Sequence, residues 1–335
     1  MSTPSTVEKG GAGFDGITLL LCENPLPPMV EAQEAAQEVL PRSNHYTEPY
    51  SEPLRQLLSE RHKVPVEHIH INAGSELILR QLFDRLGHQA HLLTPTYPLF
   101  PEIAESYTET ELHPDDGFEY DLHDLEIPAD TSIVVLVNPN NPTGRSFDLD
   151  PLPDLLTNHP ETMFLVDEAF VDFIGDSAVE QVPAYDNLIV TRTLSKAHSL
   201  AGFRIGYAVL PEPLADDLNA NNDAYPLARP SQAAAIATLQ NEAKLRERMD
   251  TLRTWADELA ADLRDLGVRT FPTETYFFLA DFSPHEAADI AERLREAEIF
   301  IKPLGDSRLG PGYMRVTTAR PEDNERVVSA LDGIL

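Results

Sequence analysis

The chain has 335 residues and a formal net charge of −31, with 25 Lys plus Arg against 56 Asp plus Glu, which is long enough for a large α/β unit and a smaller companion but too acidic to partner nucleic acid. Its single cysteine, Cys22, excludes an intramolecular disulfide and a cysteine-based zinc cluster and suits a reducing cytoplasm. No apolar run approaches the roughly 20 residues that span a bilayer, and residues 1–16 are polar and Gly-rich with no basic stretch before an apolar one, so a soluble protein away from membranes is expected.

From about residue 44 to 225, short apolar runs alternate with amphipathic stretches. A helix is predicted over 77–86, and buried strands over 91–93, 132–137, 163–166, 187–190 and 204–210. The pattern is that of an α/β unit, a mostly parallel sheet covered by helices, in which functional residues gather at strand ends. Beyond Pro226 the style changes to acidic amphipathic helix over 232–266, strands over 275–281 and 313–318, and a last helix from Pro321. The expected organisation is an N-terminal segment, 1–43, packing near the active site, a large domain, 44–225, and a small α+β domain, 226–335. The histidines are scattered, none paired at metal-ligand spacing with a carboxylate, so no metal site is expected. Acidic residues are spread over the chain rather than gathered in one tail. A surface kept soluble in concentrated salt explains that more simply than a specific cationic partner.

The candidate functional residues lie at the predicted strand and helix ends. Gly74 and Ser75 open a helix whose free N–H groups suit a phosphate, though Gly-Ser before a helix is more often only a cap. Tyr97, in Pro95-Thr96-Tyr97, could lie flat on a pyridine ring or be a core tyrosine. The string Asn138-Pro139-Asn140-Asn141-Pro142-Thr143-Gly144 fixes an unusual turn that would aim the Asn141 amide into a cleft. Asp167 ends a buried strand, where its charge needs a partner: a protonated pyridine nitrogen, an arginine or a capping role all remain open. Glu168 beside it has no assigned role. Lys196 is one of only five lysines; it follows Thr193 and Ser195 and precedes Arg204, which reads as a Schiff-base lysine inside a phosphate cradle. Pyridoxal phosphate carries both the aldehyde and the phosphate that such a site would hold.

In these motifs the chain resembles the fold-type I pyridoxal-phosphate enzymes of aminotransferase class I/II, and among them the histidinol-phosphate aminotransferase group. The resemblance runs from Leu20 to nearly the last residue and also takes in Cys22-Glu23-Asn24-Pro25, Tyr46 before Glu48-Pro49, and Met314-Arg315-Val316. It implies that Lys196 binds the cofactor aldehyde, Asp167 pairs with the ring nitrogen, Tyr97 stacks on the ring, Asn141 donates to the ring oxygen, and Gly74, Ser75, Thr193, Ser195 and Arg204 hold the phosphate. It further implies a homodimer in which Tyr46 reaches the neighbouring subunit's cofactor phosphate. Arg315 would bind the substrate α-carboxylate, with Asn24, Lys302 and Tyr276 as further substrate contacts.

Three positions depart from the family pattern. Phe170 stands where these transaminases usually carry a tyrosine that also touches the ring oxygen, and the string from Asp167 to Phe173 looks more like the related threonine-phosphate decarboxylases of cobalamin synthesis. Lys302 replaces an arginine, and Tyr276 an asparagine. The resemblance implies transfer of an amino group between a small donor, phosphorylated or not, and a 2-oxo acid in amino-acid biosynthesis. A threonine-phosphate decarboxylase-like lyase is the runner-up, and a non-enzymatic regulator on the same fold is remote, because the chain has no room or basic charge for a DNA-binding module.

Overall fold

The computed structural model describes residues 16–306 and 308–335. Residues 1–15, part of the expected N-terminal segment, lie outside the described residues. In chain order the strands are β1 (Ile17–Thr18), β2 (Ile69–Asn72), β3 (Ala90–Thr94), β4 (Tyr107–Glu111), β5 (Ile133–Val137), β6 (Met163–Asp167), β7 (Leu188–Thr193), β8 (Gly206–Val209), β9 (Arg269–Thr270), β10 (Phe277–Asp281), β11 (Ile299–Phe300), β12 (Lys302–Pro303) and β13 (Tyr313–Thr317). The α-helices are α1 (Val30–Val39), α2 (Glu52–His62), α3 (Ser75–Leu86), α4 (Leu99–Ile103), α5 (Leu152–Asn158), α6 (Glu212–Ala220), α7 (Arg229–Leu239), α8 (Glu242–Asp265), α9 (Ala287–Glu296) and α10 (Pro321–Asp332).

The larger of two compact units comprises residues 27–141 and 146–246. Its seven-stranded sheet has the order β2-β8-β7-β6-β5-β3-β4. β7, β6, β5, β3 and β4 run parallel, whereas β8 is antiparallel to both β7 and β2. β5 reads Ile-Val-Val-Leu-Val and is buried throughout, as a central parallel strand covered on both faces must be. At the edge, β4 reads Tyr-Thr-Glu-Thr-Glu and no residue of it is buried, so its charges blunt the open ladder. One core of this unit joins Ile78, Leu82 and Phe83 of α3 and Leu218 of α6 to Leu92, Ile133, Val135, Leu165 and Ile189 of the sheet.

The smaller unit comprises residues 142–145 and 247–335 together with the described part of the chain up to Leu26. Its four-stranded sheet has the order β12-β13-β10-β9, antiparallel throughout, and β1 pairs with β11 in parallel. Phe278, Ala280, Met314 and Val316 of that sheet pack with Leu259 and Leu263 of α8, Ile290 and Leu294 of α9, and Val327 and Leu331 of α10.

Each expected strand is present within a few residues of its predicted bounds. The division between units runs at 26/27 and 246/247, whereas the pattern suggested 43/44 and 225/226. The reason is α7, whose Ala234 and Ala235 are buried and which packs along α1, where Ala32 and Ala36 are buried; these small side chains let the two helices approach and keep both in the larger unit. The expected helical stretch 232–266 is two helices, broken at Gln240 and Asn241.

Candidate active site

In the larger unit the parallel strands β3, β5, β6 and β7 all end on one side of the sheet, and each end leads into a residue singled out from the sequence. β7 ends at Thr193, whose Oγ1 accepts from the Ser195 amide at 3.1 Å and lies 2.9 Å from Ser195 Oγ. That local ring holds the turn that presents Lys196, which is partly buried with its Nζ 5.8 Å from the centroid of the Phe170 ring. β6 ends at Asp167, 4% exposed, whose Oδ1 accepts from Thr191 Oγ1 of the neighbouring strand at 3.0 Å. β5 leads into Asn138, where the backbone amide donates to the Asp167 carbonyl at 2.9 Å and the side-chain Oδ1 accepts from the Phe147 amide at 2.8 Å. Two residues on, Asn140 donates to the Pro95 carbonyl at 2.9 Å, so the turn carrying Asn141 is fastened to the end of β3. Asn141 itself is buried. Past that end of β3, Tyr97 is half-buried and meets Phe100 edge-on, with centroids 6.0 Å apart.

The cradle lies across β8. A Cβ on Gly206 would stand 2.0 Å from the Ser75 amide nitrogen, so β8 runs directly against the turn that opens α3. Gly74 has φ of +95°, a left-handed value that side chains resist, and a Cβ there would meet Arg204 Nη2 at 2.5 Å. The Arg204 guanidinium therefore lies against Gly74, at the helix end whose first N–H groups have no carbonyl within the helix. The structure brings Gly74, Ser75 and Arg204 together, and places Thr193, Ser195, Lys196, Asp167 and Phe170 on adjoining strand ends. Tyr46 stands apart from them in character: it is 76% exposed and stacks on Tyr225 at 4.4 Å, and its carbonyl accepts from Arg229.

Burial pushes the Asp167 carboxyl up to about 7; the Thr191 hydroxyl pulls it back, Glu168 raises it, and Lys196 lowers it. Between pH 3.8 and about 7 the folded protein then retains at Asp167 a proton that the unfolded chain has released, so the contribution of this group to stability falls as pH rises through that window, while the buried His62, whose proton affinity burial lowers, contributes in the opposite sense. The expected result is that ligand-free wild type loses up to about 4 kcal/mol of stability relative to Asp167→Asn between pH 4 and 7, a difference in which the other titrating groups cancel and which thermal melts of the two proteins across that range would check.

Glu168, given no role from the sequence, is fully buried. It accepts from Ser177 Oγ at 2.7 Å, from the Ala178 amide at 2.8 Å and from Arg192 Nε at 2.8 Å, and burial raises its carboxyl while Arg192 opposes the shift. Arg192 lies 24 positions away on β7, at a separation for which the sequence offers no local signal. The pair ties the residue that follows β6 to Arg192 of β7, beside the Asp167 and Thr193 strand ends.

In the smaller unit, Arg315 sits in the middle of β13 with Leu279 and Lys302 as its cross-strand partners. It is 7% exposed, its Nη2 donates to the Leu20 carbonyl at 2.5 Å, and its guanidinium carbon lies 5.8 Å from the Phe277 centroid. Lys302 is half-buried, and burial, then the Arg315 charge, lowers its proton affinity. Asn24 accepts from the Leu26 amide at 3.0 Å, and Tyr276 is wholly buried with its hydroxyl donating to the Cys22 carbonyl at 2.5 Å. Two cations on neighbouring strands suit an anionic ligand. Among the described residues no group of histidine, cysteine, aspartate and glutamate side chains could hold a metal ion, and no helix is long and apolar enough to cross a membrane.

The family description aminotransferase class I and II matches residues 19–331. The histidinol-phosphate aminotransferase of Acinetobacter baumannii is 32% identical over 321 residues, 92% of this chain and 88% of that relative. Among solved structures, the histidinol-phosphate aminotransferase of Sinorhizobium meliloti in complex with pyridoxal 5'-phosphate superposes with a TM-score of 0.84 at 22% identity, covering 100% of this chain and 95% of that one. The L-threonine-O-3-phosphate decarboxylase of Porphyromonas gingivalis gives 0.84 at 23% identity, covering 95% and 99%.

Proposed function

Because the chain belongs to the aminotransferase class I and II family, we propose that it moves an amino group between a small amino donor and a 2-oxo acid, as the histidinol-phosphate aminotransferases it is similar to are named for doing, with Lys196 as the group that handles the proton. The cofactor is pyridoxal phosphate, and the residues present fit it. The cradle of Gly74, Ser75 and Arg204 admits no Cβ on either glycine that faces it, and Asp167 is a buried carboxyl whose proton affinity burial raises, a group that a cationic ring nitrogen would suit as a partner. When bound, pyridoxal phosphate supplies an aldehyde that condenses with amines and a protonated ring that draws electrons from the donor Cα.

The residues divide that work. The Ser75 amide at the start of α3, the Thr193 and Ser195 hydroxyls and the Arg204 guanidinium would hold the phosphate dianion. Asp167, through a carboxylate oxygen, would keep the ring nitrogen protonated. Asn141 would donate to the ring oxygen, and Tyr97 would cover the ring. Lys196 Nζ would be the amine that binds the aldehyde group, and it is placed to serve as the base that moves the donor's Cα proton. Arg315, with Lys302 and Asn24, would recognise the donor's anionic group. Tyr46, exposed on a stacked aromatic pair, is proposed to meet the cofactor phosphate of a second copy, which makes the working form a homodimer. A cytoplasmic location and a salt-adapted acidic surface agree with the one cysteine and the charge of −31.

The observation that carries the reading is the convergence of Lys196, Asp167 and the Gly74–Arg204 cradle on neighbouring strand ends of one unit. Phe170, buried beside Lys196 and without a hydroxyl, favours a second reading, decarboxylation of a phosphorylated amino acid. The reconstituted protein should convert L-histidinol phosphate or L-glutamate only while a 2-oxo acid is present and should release no carbon dioxide. Carbon dioxide from O-phospho-L-threonine without any 2-oxo acid would select the decarboxylase.

The cradle can be tested apart from turnover. Gly206→Ala places a methyl group against backbone atoms that no rotamer can move, the Ser75 nitrogen at 2.0 Å and the Gly74 carbonyl carbon at 2.4 Å. The expected result is a loss of about 1–3 kcal/mol in ligand-free stability and at least about a tenfold weaker equilibrium binding of pyridoxal phosphate, measured by melts and by spectroscopic titration.

A further inference from the structure

The segment that follows β1 is fastened to the smaller unit at almost every other residue. Leu19 donates its amide to the Phe300 carbonyl at 2.7 Å, and its own carbonyl lies 3.4 Å from Thr317 Oγ1. The Leu20 carbonyl accepts from Arg315 Nη2 at 2.5 Å. Cys22, 1% exposed and held at a left-handed φ of +49°, accepts at its carbonyl from the Tyr276 hydroxyl at 2.5 Å, and its Sγ lies 3.5 Å from Thr317 Oγ1. The Pro25 carbonyl accepts from Arg320 Nε at 3.3 Å. Between these ties sits Asn24, fixed by its own bond to the Leu26 amide.

Tyr276 is the deepest of the ties. Its side chain is 0% exposed, so its hydroxyl faces no solvent, and burial keeps that hydroxyl protonated and therefore a donor. A buried carbonyl deprived of its donor is costly, so this one bond weighs more than a surface contact would. A cysteine at positive φ is a conformation with little intrinsic support and persists only where the surroundings hold it. Arg315 is oriented by the same segment, since one of its fork nitrogens is spent on the Leu20 carbonyl, two residues before the Tyr276 tie. Loosening Cys22 therefore loosens the acceptor that aims Arg315.

We propose that Tyr276 is a positioning residue: its hydroxyl latches the Cys22 carbonyl, and through residues 20–24 it fixes the direction of the Arg315 guanidinium and the place of Asn24 for recognition of the donor's carboxylate. Tyr276 acts through the segment and not by touching the substrate. The inference rests on the aminotransferase reading for the word donor, while the latch itself is a property of the smaller unit. Specificity at this end of the molecule then depends on how firmly a backbone segment is pinned, as well as on which cations are present.

Cys22 is the single thiol of the chain, so its reaction with a coloured disulfide reagent reports directly on opening of the segment. In the cofactor-loaded protein, Tyr276→Phe should speed labelling of Cys22 by about tenfold, the change that loss of about 1.4 kcal/mol of local stability produces. It should raise KM for L-glutamate by a similar factor, leave kcat within about twofold, and leave the binding of pyridoxal phosphate unchanged. Thr317→Val, which removes the hydroxyl beside Leu19 and Cys22 at nearly constant volume, should shift both readings in the same direction and carries the test if the first variant does not fold. Labelling within twofold of wild type, faster labelling with unchanged KM, or a raised KM without faster labelling would each overturn the latch. If the wild-type protein transfers an amino group from neither L-glutamate nor L-histidinol phosphate, the aminotransferase reading falls, and the labelling rates alone still decide whether Tyr276 pins the segment.

Discussion

Lys196→Ala should lose turnover by a factor of about 10⁴ or more while melting within a few degrees of the wild type without ligand. The loss is large because one amine performs two tasks, covalent capture of the aldehyde and proton transfer at Cα, and each is worth orders of magnitude. The fold should tolerate the change because Lys196 is only partly buried. The turn that presents it is held by its neighbours instead, through the Thr193–Ser195 bonds and the Leu194 amide on the Ile205 carbonyl at 3.0 Å. Lys196→Arg should fare no better, since a guanidinium stays protonated and cannot condense with an aldehyde. Steady-state rates with L-glutamate, alongside melts, separate a chemical defect from a folding defect. A variant retaining a tenth of the wild-type rate would remove Lys196 from the chemistry.

Arg315→Ala is the second large effect. A carboxylate held by a 7%-exposed guanidinium is worth far more than one held at a rim, and truncating such a partner costs about 2–5 kcal/mol. The specificity constant for L-glutamate should drop by about 30-fold to several thousandfold, with the loss appearing in kcat/KM. Arg315→Lys should recover part of it, because the charge returns without the two-pronged geometry. Part of the alanine defect will come from the Leu20 carbonyl, which loses its donor, so Tyr276→Phe serves as the comparison for that contribution. Unchanged constants in Arg315→Ala would take the carboxylate away from this residue.

Legibility in the sequence followed the range of the interactions. Strands such as β5 and β6 are plain because a strand buried on both faces must be apolar almost throughout. β4 escaped notice because Tyr-Thr-Glu-Thr-Glu at a sheet edge carries no apolar alternation, and β2 did because His70 and Asn72 interrupt so short a run. His70 is buried nonetheless, its ring nitrogens satisfied by Asn219 and Gln81. Gly74 stood out since a glycine opening a helix announces its own backbone geometry, whereas Gly206, where a Cβ would strike the Ser75 and Gly74 backbone, gave no such sign. What sequence could not show was pairing at a distance. Glu168 gives no sign of Arg192, and Tyr276 lies 254 positions from the carbonyl it binds. The same applies to the unit boundary, which the packing of α7 on α1 moves past Arg229–Leu239.

The most direct test is chemical. The protein loaded with pyridoxal phosphate is reduced with borohydride, digested and weighed peptide by peptide. A stoichiometric cofactor mass on the peptide containing Lys196, and its loss when an amino donor is added before the reductant, is the predicted result; the same mass on any of the four other lysines, or on none, would contradict the account.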